Sequence, residues 1–407
     1  MRRLLLFGFL FLAACGTVNP PLATPQPVPV SETLSPPAPL TAIPSSAREA
    51  RVLRVWLPPQ FDPSADTPAA VLLKARLDAF VQDHPNLMLD IRIKDNADMS
   101  LLAILSLTHS AAPEALPDLI ALPRADLEAA AAKGIVHPLD GLTNLLADPD
   151  WYPYARQLGR VQNAAYGLPF AGDAFAIAYH PSEFEQPPAT WEDLFLKQRY
   201  LAILGDDPNS LLQLSLYLST GKPLLNEANH PYLDEVALTR ALQTLADARL
   251  INLQSEQAAW RAFVDGRADL CLTWSSRFIR EPQPDTALLP MPGLEGTPLT
   301  LATGWAWALA GADSQNEALA AELAEWLVAD DFLSEWDRAA GYLAPRPNAL
   351  KPLDPSGALD RLSQSAQIQP SDDLLSALGP TLQQALSRIL NGEQAEVVAR
   401  SVVESLK

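Results

Sequence analysis

The chain has 407 residues, a formal net charge of −19 at pH 7 and only two cysteines. A protein this acidic is not expected to bind nucleic-acid phosphates or anionic lipid headgroups through its charge. Its five histidines are scattered, and the sequence has none of the common metal-binding, nucleotide-binding or nucleophile motifs. We therefore expect a protein that is not an enzyme and that needs no cofactor and no metal.

The first residues have the layout of a secretory signal. Two arginines precede an apolar run from Leu4 to Ala14, which is too short to span a bilayer as a helix. The run ends in Leu-Ala-Ala-Cys at Cys15, which resembles a bacterial lipobox. That resemblance implies a signal peptide over residues 1–14 and a lipid anchor on Cys15. The alternative is an ordinary signal peptide with an incidental cysteine.

A proline-rich segment follows the signal. Nine prolines fall between Pro20 and Pro44, among small and polar residues that cannot build a packed core. At about 3.1 Å per residue, an extended chain of this length reaches roughly 100 Å. We interpret residues 15–50 as the lipidated cysteine and a stalk that holds a folded body away from the membrane.

Strand and helix patterns alternate in the remaining part, residues 51–407, whose length suits two lobes. In chain order, strands are predicted at 51–57, 87–93, 116–122, 269–274, 286–292 and 304–311, and helices at 68–86, 99–110, 124–134 and 316–331. The middle, residues 194–253, has a mainly helical pattern. Alternation of this kind favours an α/β fold with mostly parallel sheets flanked by helices. Cys271 lies in an apolar run and is expected to be a small buried hydrophobe.

Six motifs in order resemble the extracellular solute-binding proteins of family 1, the maltose-binding-like receptors of ABC importers. They are RLDAFVQDHPNLMLDI, LPDLIALPRADLEAAAAKGIVHPLDGL, YGLPFAGDAFAIAYHPSEFEQPPATWEDLF, FVDGRADLCLTWSS, LLPMPG and GYLAPRPNAL. Each motif alone is loose, but the shared order over residues 51–348 is specific. The similarity is weak between residues 200 and 250.

This resemblance implies a two-lobe periplasmic-binding-protein-like fold of type II, with a hinge between the lobes. The expected N-terminal lobe comprises residues 51–170 and 305–342, and the expected C-terminal lobe comprises residues 171–304 and 343–407. The implied function is that of a monomeric receptor, tethered by lipid to the outer face of the cytoplasmic membrane, which closes on a small solute. A carbohydrate is the favoured solute, and ABC transporter permease subunits are the implied partners. The alternative is a sensing or adhesion lipoprotein with the same fold.

Candidate ligand contacts are acids and aromatics near the ends of strands, because sugars need stacking faces and polar partners for their hydroxyls. The candidates are Trp56, Asp62, Asp173, Trp274, Arg277, Trp305 and Tyr342. For Trp56 the alternative is packing in the core, and for Arg277 it is a salt bridge. Trp305 and Trp307 share one face of a strand, and Trp305 is the one expected to reach the cleft.

One departure from the family pattern bears on the ligand. After PDLIA, sugar-binding members often have an aromatic residue and then an acid, but this chain has Leu122-Pro123-Arg124-Ala125. The change weakens the case for a maltooligosaccharide. Arg124 is either a contact for an anionic or phosphorylated group or a surface residue.

Overall fold

The computed structural model describes residues 51–94, 99–196, 199–205, 207–311 and 314–406. The predicted signal peptide at 1–14, the predicted lipid anchor Cys15 and the predicted stalk at 15–50 lie outside the described residues. Strands and helices alternate through most of this part of the chain, as the sequence pattern predicts.

The strands are β1 Arg51–Leu57, β2 Leu87–Ile93, β3 Leu119–Pro123, β4 Arg160–Val161, β5 Ala164–Ala165, β6 Gly167–Tyr179, β7 Tyr200–Leu204, β8 Arg249–Leu253, β9 Leu270–Trp274, β10 Ala287–Leu289, β11 Thr300–Leu309 and β12 Ala366–Ile368. The helices are α1 Pro68–Asp83, α2 Leu101–Ala111, α3 Arg124–Ala132, α4 Pro153–Leu158, α5 Trp191–Phe195, α6 Leu211–Leu218, α7 Glu235–Asp247, α8 Glu256–Val264, α9 Ser275–Arg280, α10 Ser314–Trp326, α11 Asp330–Ala340, α12 Pro347–Leu350, α13 Ala358–Gln364, α14 Asp372–Leu390 and α15 Ala395–Ser405. None of the helices in the described ranges is both long and apolar enough to cross a bilayer.

Local sequence signals account for several helix starts. Thr67 precedes α1, its side chain accepts a hydrogen bond from the backbone N–H of Ala70, and Pro68 occupies the first helical position. Ser100 caps α2 in the same way, through the N–H of Ala103. The first backbone N–H groups of a helix lack hydrogen-bond partners within the helix, so these capping side chains stabilise the starts of α1 and α2.

The main sheet has the strand order β2-β1-β3-β11-β6-β9-β7-β8. At one end β1 is parallel to β2 and β3, and at the other end β7 is parallel to β8 and β9. Between these ends lie β6 and β11, which pair antiparallel with each other and with β9 and β3 respectively. We call the β2-β1-β3 end the N-terminal lobe and the β9-β7-β8 end the C-terminal lobe. The α/β class with helices flanking the sheet is confirmed, but the sheet is mixed rather than mostly parallel, since its parallel pairs lie at the two ends and antiparallel pairs lie at its centre.

Helices cover both faces of each lobe and bury its apolar residues. In the N-terminal lobe α1 packs against α11, and α3 packs against β3 and β11. In the C-terminal lobe α7 packs against α14 and α15 around a core of leucines and alanines. Cys271 is fully buried in β9, as its apolar surroundings predict.

Two predicted elements differ from the structure. The middle segment, predicted to be mainly helical, contains the strands β7 and β8, because five-residue apolar runs such as YLAIL have no period that separates strand from helix. The predicted helix at 316–331 is two helices, since α10 ends at Trp326 and α11 begins at Asp330. Arg346 forms an ion pair with Asp330 at 2.6 Å, and this contact from a distant segment fixes the start of α11.

Candidate functional site

Three chain segments meet where the lobes join. They are β6, β11 and residues 341–343, which run beside β6. Gly172 in β6 and Leu343 exchange two backbone hydrogen bonds, each 2.8 Å long. A Cβ atom at Gly172 would lie 2.3 Å from the hydroxyl oxygen of Tyr154 and 2.8 Å from the carbonyl oxygen of Leu343. Only glycine therefore allows the segments to approach this closely.

Solvent reaches these crossing segments at four side chains. Every residue of β6 is buried except Asp173, and every residue of β11 is buried except Thr303 and Trp305. Tyr342 is half-buried, while Gly341 and Leu343 on either side of it are buried. Asp173 and Thr303 are partners across the β6–β11 ladder. We call Asp173, Thr303, Trp305 and Tyr342 the crossing site.

Aromatic packing holds the two rings of the crossing site in place. Phe61, just after β1, meets the ring of Trp305 edge-on at a centroid distance of 5.1 Å and the ring of Tyr342 at 5.9 Å. Trp336 lies nearly parallel to Tyr342, with an interplanar angle of 9° and a centroid distance of 6.2 Å. Rings that are fixed on one side and exposed on the other can stack on a flat ligand face with little loss of rotamer entropy.

Three donors converge on one oxygen of Asp173. Its Oδ1 accepts hydrogen bonds from the hydroxyl of Ser275 at 2.8 Å, from the backbone N–H of Ser276 at 2.9 Å and from its own neighbour, the N–H of Ala174, at 3.0 Å. Burial is the largest effect on this carboxyl and raises its pKa to about 6, against the opposing effect of the serine hydrogen bonds and the charge of Arg280. At neutral pH Asp173 is therefore mostly ionised and acts as a hydrogen-bond acceptor.

Arg280, at the end of α9, connects the C-terminal lobe to this site. Its Nη2 donates to the hydroxyl of Ser276 at 3.2 Å, and its stem lies against Gly341. Arg280, Ser276 and Thr303 were missed in the sequence reasoning. Thr303 could have been found from the sequence, because residues two apart on a strand share one face and Thr303 stands two residues before Trp305. For Arg280 no local signal exists, because its position depends on Gly341 in a distant part of the chain.

Trp307, two residues beyond Trp305 in β11, is buried and stacks on Phe170 at 4.5 Å. Trp305 is half-buried, so it is the more exposed of the two, as expected. Trp56 is buried, at 1% exposure, among apolar residues of α2 and β3, and the Lys94 ammonium lies 3.9 Å from its ring centroid. This placement agrees with the packed-strand alternative and not with a ligand contact in this conformation.

Asp62 ends a short turn next to Phe61. Its carboxylate accepts hydrogen bonds from the backbone N–H of Ser64 at 2.8 Å and from the Ser64 hydroxyl at 2.6 Å. The residue is half-buried, so part of it reaches solvent. Asp62 therefore caps its own loop, and its neighbour Phe61 packs against the rings of Trp305 and Tyr342.

Trp274 and Arg277 lie at the start of α9 in the C-terminal lobe. Trp274 is half-buried and packs against Phe175 at a centroid distance of 5.6 Å. Arg277 forms ion pairs with Glu281 at 2.6 Å and with Glu256 at 3.5 Å. The structure therefore supports the salt-bridge alternative for Arg277.

Arg124 has a structural role. Its Nη1 donates to three backbone carbonyls, those of Gln157 at 2.7 Å, Leu158 at 2.9 Å and Arg160 at 2.6 Å, and its Nη2 pairs with Glu128. These carbonyls belong to the C-terminal end of α4 and the chain just after it, where helix carbonyls lack partners. Arg124 is therefore a largely buried structural residue rather than the surface residue or anion contact expected from the sequence.

Within the described ranges, no group of three or more histidine, cysteine, aspartate or glutamate side chains is arranged to hold a metal ion. The polar groups of the crossing site are an acid, a hydroxyl and a phenol. Such groups exchange hydrogen bonds with a polar solute, while the rings supply apolar faces.

Comparisons with known proteins agree on family and fold. Residues 103–360 match a family model described as bacterial extracellular solute-binding protein. No curated protein sequence matches the chain. Solved structures with a similar fold are those of the sugar-binding protein MalE from Xanthomonas citri, the cyclic α-maltosyl-1,6-maltose binding protein from Arthrobacter globiformis and the GacH receptor of Streptomyces glaucescens.

The Xanthomonas protein is 18% identical, with a TM-score of 0.71 over 88% of this chain and 96% of that one. The Arthrobacter protein is 17% identical, with a TM-score of 0.69 over 88% and 98%. The Streptomyces receptor is 17% identical, with a TM-score of 0.61 over 88% and 99%. Identities this low establish the shared fold alone.

The family match covers more than half of the chain and describes binding proteins, which agrees with the expectation that this protein is not an enzyme. The chain belongs to the bacterial extracellular solute-binding proteins.

Proposed function

We propose that this protein is a receptor that holds a small hydroxyl-rich solute, a sugar or oligosaccharide, at the crossing site. The observation that carries the proposal is that, in the three crossing segments, the residues that are not buried are Asp173, Thr303, Trp305 and Tyr342. An ionised acid and a hydroxyl suit the hydroxyls of a sugar, and the two rings suit its C–H faces.

Structural relatives support a sugar as the solute class. The GacH receptor was solved with acarbose, and a cyclo/maltodextrin-binding protein was solved with maltotetraose. A solute-binding protein from Thermotoga lettingae was solved with α-D-tagatose. These ligands share many hydroxyl groups, although they differ in size and stereochemistry.

Closure of the two lobes is the proposed binding mechanism. A solute that contacts both lobes shifts the open–closed equilibrium toward the closed state by its differential affinity. We propose β6 and β11 as hinge strands and the lobe boundaries at 51–170 with 305–342, and at 171–304 with 343–407. The pairing of β6 supports a boundary near Asp173, because its first half pairs with β11 and its second half pairs with β9.

Tethering and transport complete the proposal. The Leu-Ala-Ala-Cys sequence at Cys15 supports lipidation of that cysteine and attachment to the outer face of the cytoplasmic membrane. We propose that the protein works as a monomer and delivers its solute to ABC transporter permease subunits. A sensing or adhesion lipoprotein with the same fold is the second candidate, and it shares the binding step but needs no permease.

A thermal-shift screen of the full chain against mono- and oligosaccharides tests the binding step. A sugar that binds only the folded state stabilises it by RT ln(1 + [L]/Kd), about 2.7 kcal/mol at 100 times Kd. We expect at least one sugar to raise the melting temperature in a saturable way. If no sugar does so while a peptide or an amino acid does, the family assignment stands and the sugar proposal fails.

A further inference from the structure

We propose that Arg280 selects a solute that carries an anionic group, so that the preferred ligand is an acidic sugar with a carboxylate. This inference rests on the proposed function and specifies its ligand class.

Two other arginines near the crossing segments, Arg124 and Arg277, already have partners inside the protein. The guanidinium of Arg124 is held by three backbone carbonyls and Glu128. The guanidinium of Arg277 lies between Glu256 and Glu281. The charge of each is therefore already compensated by a carboxylate, whereas an anionic ligand needs an uncompensated positive charge.

Arg280 differs from both. Among the described residues, no carboxylate lies within 4.0 Å of its guanidinium, and its hydrogen bond to protein is made to a neutral group, the hydroxyl of Ser276 at 3.2 Å. The residue is exposed. Arg124, Arg277 and Arg346 each pair with an acid, and Arg280 does not. The Arg280 charge is thus open to a partner from solution.

The path of the side chain brings this charge to the crossing site. The Arg280 stem passes over Gly341, where a Cβ atom would lie 2.1 Å from Cγ of the arginine. Gly341 has φ +77° and ends α11, directly before Tyr342. Burial raises the pKa of both Tyr342 and Asp173, and the nearby positive charge of Arg280 opposes both rises.

The geometry also explains why an acidic sugar, rather than a simple anion, fits. Asp173 lies in the same site and repels a small anion, but it accepts hydrogen bonds from hydroxyls. A solute with hydroxyls at one end and a carboxylate at the other satisfies Asp173 and Arg280 together. Arginine binds a carboxylate with two parallel hydrogen bonds, and the planar guanidinium matches that group.

Matched pairs of sugars test this inference on the full chain. The probes are glucose and glucuronate, galactose and galacturonate, and maltotriose and trigalacturonate, titrated by calorimetry at low and moderate salt. We expect an acidic member to bind about 10- to 100-fold more tightly than its neutral partner, an effect of the size that a charge-assisted hydrogen bond gives. Arg280→Gln should remove that preference and Arg280→Lys should keep part of it. Arg261→Gln, at an exposed position on α8, should leave it unchanged.

The outcomes separate this inference from the proposed function. If neutral sugars bind as tightly as acidic ones and Arg280→Gln changes neither affinity, the Arg280 inference is wrong and the sugar receptor stands. If Arg280→Gln lowers the melting temperature but leaves the ratio of acidic to neutral affinity unchanged, the residue only packs against Gly341. If no sugar of either kind binds, both proposals are overturned.

Discussion

Asp173 and Thr303 face each other across the β6–β11 ladder, and both are solvent-accessible in strands that are otherwise almost wholly buried. A buried strand excludes charged residues unless they are paired or hydrogen-bonded, and Asp173 has three donors at Oδ1. The pair therefore lies beside the point where β6 changes its partner from β11 to β9, and we propose that a solute contacts both lobes there.

Replacement of Trp305 separates binding from stability. Trp305→Ala removes a half-exposed stacking face, so we expect sugar affinity to fall by about tenfold or more, which corresponds to roughly 1–2 kcal/mol. Calorimetric titration measures this loss. The matched control is Trp307→Ala, which removes a buried ring stacked on Phe170 and should cost about 3–5 kcal/mol of unfolding free energy. If Trp305→Ala destabilises as strongly as Trp307→Ala and leaves affinity unchanged, Trp305 belongs to the core.

The pKa of Asp173 predicts a pH dependence of binding. Because its pKa in the folded protein is raised to about 6, the carboxyl is neutral below that pH and ionised above it. Sugar hydroxyls donate more strongly to the ionised form, so the affinity for a neutral sugar, which Asp173 does not repel, should fall as the pH is lowered from 7.5 to 5. Asp173→Asn should bind more weakly at pH 7.5, by roughly 1.5–3 kcal/mol, and should show a flatter pH profile. A wild-type profile that is flat through pH 6 would contradict this role.

Asp337 predicts a different pH effect, on stability. It is fully buried in α11, neither carboxylate oxygen has a hydrogen-bond partner, and burial raises its pKa well above its usual range. A carboxyl with a raised pKa stabilises the fold below its unfolded pKa, and this stability is lost as the pH rises toward the folded value. Asp337→Asn stays neutral, so denaturant unfolding should show it gaining stability over the wild type between pH 5 and 8. If the stability difference between Asp337→Asn and the wild type does not grow with pH, the carboxylate of Asp337 has a hydrogen-bond or charge partner that stabilises its ionised form.

Replacement of Arg124 tests the structural role that its hydrogen bonds to backbone carbonyls indicate. Arg124→Ala leaves three backbone carbonyls at the end of α4 without their donor, and the unfolding free energy should fall by about 2–3 kcal/mol. The affinity for any sugar should stay within twofold of the wild type. A stable variant that loses the binding of acidic sugars would instead return Arg124 to the binding site.

Much of the fold follows from the sequence because its motifs are local. The parallel strands β1 and β2, the buried run of β6 and the single acid within that run are visible in the chain itself. The position of Asp173 was therefore predictable. The split between α10 and α11 was not, because it depends on the ion pair between Arg346 and Asp330, which no local pattern encodes.

The sequence does not predict which tryptophans of the strands are exposed to solvent. Trp56 and Trp305 both lie on strands, and nothing in either strand says which faces water. The structure separates them because α2 covers Trp56, whereas no described helix buries Trp305 completely. Likewise, Arg277 and Arg280 are three residues apart on α9, and only the placement of Glu256 and Gly341 distinguishes a paired arginine from an open one.

Membrane attachment through Cys15 is a separate prediction. Cys15→Ser removes the sulfur that we propose carries the lipid, and two or more acyl chains are needed for stable anchoring. In a bacterial host the variant should move from the membrane fraction to the soluble fraction, while sugar affinity stays unchanged. If the variant still sediments with membranes, the tether lies elsewhere in the chain.

The most direct test of the central claim is protection of Trp305 from oxidation. N-bromosuccinimide oxidises accessible indoles, and peptide mass spectrometry reports each tryptophan separately. With a sugar that raises the melting temperature, we predict that oxidation of Trp305 slows by at least tenfold. Oxidation of Trp326, which is half-buried beside Arg76 in the N-terminal lobe, should be unchanged. If the bound sugar leaves the oxidation rate of Trp305 unaltered, the solute binds elsewhere and the crossing site is not its binding site.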